Sequence, residues 1–401
     1  MINPDRFERQ GVFVMPDYAR FGLSRVPAAV RALLAGERTE LTELCPAGRP
    51  KRVVLLVIDG FGFDQWVKYQ AQFAFLRRVS ERGVVSPITT VFPSTTSAAI
   101  TTLHTGLTPL EHGVAEWWLW LDELGGPIET MLWRGLRGEE LGEDMRILYG
   151  GPTFYETLAK AGIECRVVLP ELYAFSAYSN HFSRGAKVTA ARSLRDQLAK
   201  VREALEHAAS PAYVYTHWGG VDKAAHAHGP HTQAHVDSIA EIAGALQSGV
   251  AGWPEGTLLI ITADHGQVVM DVERTVQLKR HPEVMRLVDG LPWGSPRDLF
   301  MRAKPGAMAE LKEHFGRLLA GQAVVMETEE AFRRELFGPG QPDARFRRRV
   351  GDLIVLPYGT RGAWYELKPG FRFELPGQHG SLTADEMLVP FAAVRPGDLS
   401  P

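Results

Sequence analysis

The run Val53–Ile58, VVLLVI, has no polar member and is closed at once by Asp59 and Gly60. A strand that is apolar at every position has no face to offer to water, so it belongs in the middle of a sheet covered on both sides, as parallel sheets are. That stretch directs the chain toward a layered α/β architecture. Four more candidate strands follow, at GVVSPITTVF, ECRVVLPE, PAYVYTHWGG and GTLLIITADHG, with helical stretches between them. Of these, GPTFYETLAKAG ends on an Ala-Gly helix stop, and SLRDQLAKVREALEHAAS pairs charges with an apolar stripe. The alternation predicts an α/β fold with a mostly parallel central sheet flanked by helices on both faces.

Beyond Gly266 the pattern changes to mixed charge with scattered Pro and Gly, a helix, and a short strand-like GDLIVLPYG, before the chain returns at PGQHGSLTADEMLVPF. The expected organisation is an N-terminal extension over residues 1–50 packing on the core. The core itself is built from 51–266 and 376–401, and residues 267–375 form a smaller inserted cap beside the site. At 401 residues this suits one large domain with an insertion. A formal net charge of −3 without a long basic run gives no signature of nucleic-acid polymer binding. MINPDRFERQGVFVMPDYARFG has no apolar core after a basic start, and no segment approaches about 18 uninterrupted apolar residues, so the expectation is a cytoplasmic protein without a membrane partner. Cys45 and Cys165 lack metal-type spacing and read as two reduced structural thiols.

In open α/β sheets, ligands gather at the carboxyl ends of the strands. Asp59, the hydroxyl group of residues Ser94 to Thr96, Asp222 and the pair Asp264-His265 all follow candidate strands at that edge. With His226, four residues after Asp222, and His379 in GQHG, three aspartates, three histidines and a hydroxyl converge on one place. Carboxylate oxygen and imidazole nitrogen together suit zinc, and manganese less well.

On the blocks VIDGFG, FPSTTSAAITTLHTGLTPLEHG, VDKAAHAHGP, TADHG and GQHG, which span most of residues 53 to 393, the chain resembles the alkaline phosphatase superfamily and, within it, the type I phosphodiesterase/nucleotide pyrophosphatase family. The resemblance implies an alkaline-phosphatase-like layered sandwich holding two zinc ions. One would be bound by Asp59, Thr96, Asp264 and His265, and the other by Asp222, His226 and His379. It also implies a nucleophilic threonine. Gapless counting back from TGL puts that residue on Thr96, with Thr95 standing where the family commonly has Lys. The implied reaction is in-line attack on phosphorus through a covalent phosphothreonine, on a small-molecule phosphate ester. A phosphomonoesterase or phosphonate hydrolase with the same metals is the alternative, and a catalytically idle ligand-binding protein is the reading from another class. The sequence assigns no oligomeric state.

One departure bears on the substrate. Nucleotide pyrophosphatases usually carry an Asn shortly after the HG of the long block, whereas this chain has Glu116, Trp117 and Trp118. An indole donor, an aromatic wall and simple packing under a loop are all open there. Other candidates are weaker. His228, His231 and His235 have the spacing of one helical face, and His217 lies nearby. His104 and His112 read as capping or packing residues. Arg184, in SAYSNHFSRGAKV, is either a phosphoryl contact or a surface charge.

Overall fold

The computed structural model describes residues 3–368, 370 and 374–399. The apolar run forms β1 (Arg52–Ile58), buried at six of its seven positions. It is followed by β2 (Val84–Thr89), β3 (Glu164–Pro170), β4 (Lys187–Ala191), β5 (Ala212–Trp218) and β6 (Thr257–Thr262). With a late strand, β11 (Leu388–Val394), these make a seven-stranded sheet in the order β2-β11-β6-β1-β5-β3-β4. β1 is at its centre, with Val54 opposite Leu259 of β6 on one side and Val214 of β5 on the other, both neighbours parallel. Each fully buried Val, Leu or Ile here contributes about 1.5–3 kcal/mol of transfer free energy, which makes this register the strongest constraint in the fold.

Two strands of this sheet have no counterpart in the sequence pattern. β4 is a short edge strand whose mixed KVTAA composition leaves it mostly half-buried. β11 is buried throughout but contains Pro390, which marks a sequence as unfit for a central strand. It is accommodated because Pro390 lies opposite Pro87 of β2 in an antiparallel pair. β11 also runs antiparallel to β6, so one reversed strand separates β2 from the other parallel strands.

Residues before β1 pack on the same core. The helix Val26–Ala35 buries Val26, Val30 and Leu34 and stops at Gly36, whose left-handed φ of 80° terminates it. The Tyr18 hydroxyl donates to the Leu336 carbonyl and accepts from the Phe92 amide, joining this segment to the loop after β2. Between β6 and β11 a second sheet forms from β7 (Val288–Ser295), β8 (Asp298–Ala303), β9 (Ala323–Glu327) and β10 (Leu353–Pro357), ordered β7-β8-β10-β9 with every pairing antiparallel. It has its own apolar cluster, including Leu299, Met301, Leu311, Phe315 and Val355.

Buried arginines fasten the segment bearing this second sheet to the rest of the chain. Arg297 holds Glu386 through two hydrogen bonds of 3.0 and 2.9 Å, with both side chains fully buried. Arg349 donates to the carbonyls of Gly113, Ile147 and Leu148. Among the described residues, no helix is long and apolar enough to cross a membrane.

Candidate active site

Asp59 is the first residue past β1, and the Asp222 amide donates to its carbonyl at 3.1 Å. Asp222 and His226 lie one turn apart on helix α2 (Gly220–His228; α1 being Thr96–Thr105), which begins directly after β5. Asp264 and His265 follow β6 at the same edge. His379 arrives from the far side of the cap, on the loop after the short strand Gly377–Gln378.

The structure gathers these side chains into two adjoining groups, Asp59 with Asp264 and His265, and Asp222 with His226 and His379, each with ligand atoms within 4.8 Å of one another. They meet where the rings of His265 and His379 stack, with centroids 3.5 Å apart. Each histidine has its Nδ1 against a main-chain carbonyl: His265 on Gly266 at 2.9 Å, His226 on Gly377 at 2.8 Å and His379 on Ser94 at 2.9 Å. A carbonyl only accepts, so the proton sits on Nδ1 and the Nε2 lone pair points inward. Inward lie carboxylates. His265 Nε2 is 3.5 Å from Asp59 Oδ1 and from Asp264 Oδ2, and His226 Nε2 is 3.2 Å from Asp222 Oδ1.

Lone pairs facing carboxylates repel unless a cation lies between them. Among the described residues, no lysine or arginine forms an ion pair with any of the three aspartates. Asp59 Oδ1 and Asp264 Oδ2 are buried without a hydrogen-bond donor. Burial, then the charges of Asp264 and Asp222, push the Asp59 carboxyl well above its ordinary range, and burial raises Asp222 too. Burial lowers His265 to about 3 and His379 well below its usual value, keeping both neutral and able to ligate. Orphaned carboxylate oxygens and neutral imidazoles form a donor set that fits a divalent cation in each group, zinc by the mix of oxygen and nitrogen.

Thr96 is the only residue between Val91 and Ile100 that is not fully buried. Its hydroxyl lies 3.1 Å from His265 Nε2 at the first turn of α1, whereas the Thr95 hydroxyl turns to Ser97. The other hydroxyls of this stretch have structural partners. Ser94 bonds the Ser381 carbonyl and the Gly380 amide, tying the His379 loop to the start of α1. Thr101 reaches the Ser97 carbonyl and the Tyr178 hydroxyl, and Thr102 bonds His112. His104 is buried against Tyr155 and Tyr215, so both histidines of the block are packing groups.

Other expectations resolve differently. His228, His231 and His235 do not share a helix face: α2 ends at His228, Gly229 and His231 adopt positive φ around Pro230, and His235 is buried in the next helix. Proline blocks continuation of the helix, which spacing alone does not register. Arg184 is spent on the carbonyls of His181 and Gly151 rather than on the cluster. Trp118 packs in the core, and Glu116 is buried. Two partners of the cluster were not legible as such. His217 meets Asp59 Oδ2 at 3.0 Å and so turns the other oxygen toward His265, and the Gln267 amide donates to Asp222. His217's place at the carboxyl end of β5 is the signal that marks it.

The glycine of DHG is required by close approach. A Cβ on Gly266 would collide with the Asp385 carbonyl and crowd Gly62. Gly266→Ala is therefore expected to cost about 1–3 kcal/mol of stability in denaturant unfolding, the usual range for overpacking.

A sequence profile described as type I phosphodiesterase / nucleotide pyrophosphatase matches residues 53–381. No curated protein sequence matches the chain. Among solved structures, murine ectonucleotide pyrophosphatase/phosphodiesterase 5 is similar at a TM-score of 0.64 and 19% identity, covering 85% of this chain and 87% of that one. An inactive threonine-to-alanine variant of the murine protein, in complex with AMP, aligns at 0.64 and 18%, covering 86% and 88%. Phosphonoacetate hydrolase from Sinorhizobium meliloti in complex with phosphonoformate aligns at 0.63 and 17%, covering 87% and 94%. At these identities the likeness establishes the fold.

Proposed function

The chain belongs to the type I phosphodiesterase / nucleotide pyrophosphatase family and is a phosphoester hydrolase; from that premise we propose that it cleaves small-molecule phosphodiesters through a covalent phosphothreonine on Thr96, beside two zinc ions. One ion is held by Asp59, Thr96, Asp264 and His265, and the other by Asp222, His226 and His379. The single observation that carries this reading is the set of neutral Nε2 lone pairs aimed at carboxylates that have no other counter-charge, with the Thr96 hydroxyl 3.1 Å from one of them. When bound, such a pair of cations neutralises the negative charge that builds on the entering and leaving oxygens.

The chain's own groups do the rest. Thr96 Oγ1 gives up its proton to solvent and forms a bond to phosphorus as the ester P–O bond on the opposite side breaks, and the departing oxygen takes a proton from solvent. Water then forms the new P–O bond, the Thr96 oxygen leaves with a proton, and a phosphate monoester is released. Thr96 stands at the first turn of the ten-residue α1, where the unpaired amides favour developing negative charge. His217 fixes the rotamer of Asp59. The free thiols Cys45 and Cys165 suit a reducing compartment, and we place the protein in the cytoplasm.

The test is metal analysis of the purified protein together with turnover of bis-p-nitrophenyl phosphate, p-nitrophenyl phosphate and phosphonoacetate. Two zinc ions per chain and preference for the diester are expected. Preference for the monoester or the phosphonate assigns the alternative chemistry, and no metal with no turnover overturns the reading. Chelation is expected to lower the melting temperature. Zinc restored at about a thousandfold over its Kd should add about 4 kcal/mol of stability per site by mass action, measured as a thermal shift.

A further inference from the structure

The loop that carries His379 is held by one residue of a distant segment. Ser94, fully buried, meets His379, Gly380 and Ser381 through four hydrogen bonds. Its hydroxyl donates to the Ser381 carbonyl at 2.7 Å and accepts from the Gly380 amide at 3.1 Å. Its amide donates to the Gly380 carbonyl at 3.2 Å, and its carbonyl accepts from His379 Nδ1 at 2.9 Å. Every polar atom of Ser94 is therefore committed to three consecutive residues that lie 285 to 287 positions further along the chain. The loop is also pinned from its other side. The Ser381 amide donates to Glu386 Oε1 at 3.1 Å, and the Glu386 carbonyl accepts from the amide of Gly266, next to His265, at 2.9 Å. Thr95, equally buried in the same turn, directs its hydroxyl at Ser97 instead.

We propose that Ser94 is a positioning residue whose clamp on residues 379–381 fixes the His379 imidazole relative to the Thr96 hydroxyl, joining the nucleophile's turn to the second cation group. Its catalytic meaning rests on the reading of Thr96 as nucleophile and His379 as ligand, whereas the clamp stands on the four hydrogen bonds. An imidazole ligates well when its ring is aimed before the ion arrives, and the groups that aim it contribute about 10- to 100-fold to metal affinity. The carbonyl that aims His379 belongs to Ser94, and the hydroxyl of the same residue keeps the loop in register with that carbonyl. A hydroxyl is suited to the task because it donates to one peptide group while accepting from the next. Without it the Gly380 amide and the Ser381 carbonyl, on two buried residues, lose a partner.

The experiment compares wild type, S94A, S94C and T95A as full-length protein. Amide hydrogen exchange of residues 378–382 is followed as purified and after chelation, and zinc affinity is read by competition with a chelator of known strength. In S94A the segment is expected to exchange about tenfold faster in both states, because two hydrogen bonds of ordinary net strength are lost. One of the two zinc ions should bind about 10- to 100-fold less tightly while the other keeps its affinity. S94C, which fills the site with a weak donor and acceptor, should fall with S94A. T95A removes a hydroxyl from the same turn and should follow wild type in both measurements. Exchange in S94A equal to that of wild type overturns the clamp, and faster exchange with both zinc affinities unchanged overturns its link to the second cation group. T95A falling with S94A overturns the assignment to Ser94, since any loosening of the turn would then suffice. If S94A does not fold, S94C takes its place in each comparison. Wild type that binds no zinc refutes the two-cation reading instead, and exchange still judges the clamp.

Discussion

Thr96→Ala is expected to reduce kcat for bis-p-nitrophenyl phosphate by at least about 10³-fold, the scale on which removing a nucleophile acts. Zinc content should remain close to two per chain and the melting temperature close to that of the parent. The argument is positional: within a buried turn, Thr96 alone reaches solvent, and its hydroxyl is the one directed at His265. Loss of that hydroxyl removes one proposed ligand and leaves the three side chains of its group in place. Thr95→Ala provides the contrast. Its hydroxyl faces Ser97, so a modest stability loss with turnover within a few-fold of the parent is the expected outcome. Stopped by Thr95→Ala and spared by Thr96→Ala, turnover would move the nucleophile by one residue.

The largest stability effect is expected at Arg297→Ala. Arg297 and Glu386 are both fully buried and doubly hydrogen bonded, and Arg297 also donates to the carbonyls of Gly359 and Arg361. Deleting the guanidinium strands a carboxylate and two carbonyls away from water, which costs about 3–5 kcal/mol. Because the Gly266 amide donates to the Glu386 carbonyl, the damage reaches the Asp264-His265 segment as well. Denaturant unfolding measures the loss. Replacing both partners with apolar residues of similar volume is expected to recover the part that arises from the uncompensated charge, and to leave the part that arises from the unpaired carbonyls of Gly359 and Arg361. A single substitution costing under about 1 kcal/mol would show that the pair does not anchor the second sheet.

The features legible in the sequence are those whose physics is local. VVLLVI announces a doubly covered strand because six neighbours in a row lack polar atoms. Asp59, Asp222, Asp264 and His265 announce themselves as polar groups placed immediately after strand-like runs. His379 is visible through its motif, and its convergence with Asp222 is a property of the folded chain. What stayed hidden needs a partner far along the chain. Arg297 looks like one more surface charge in a mixed segment until Glu386, 89 residues on, is seen beside it. β11 contains a proline that local rules count against a strand, and only its pairing with β2 shows why it is tolerated.

Among the described residues, β2, which leads into the Thr96 turn, has β11 as its only neighbour in the central sheet. The segment bearing the hydroxyl is therefore seated in the central sheet by a strand that follows the whole of the second sheet along the chain.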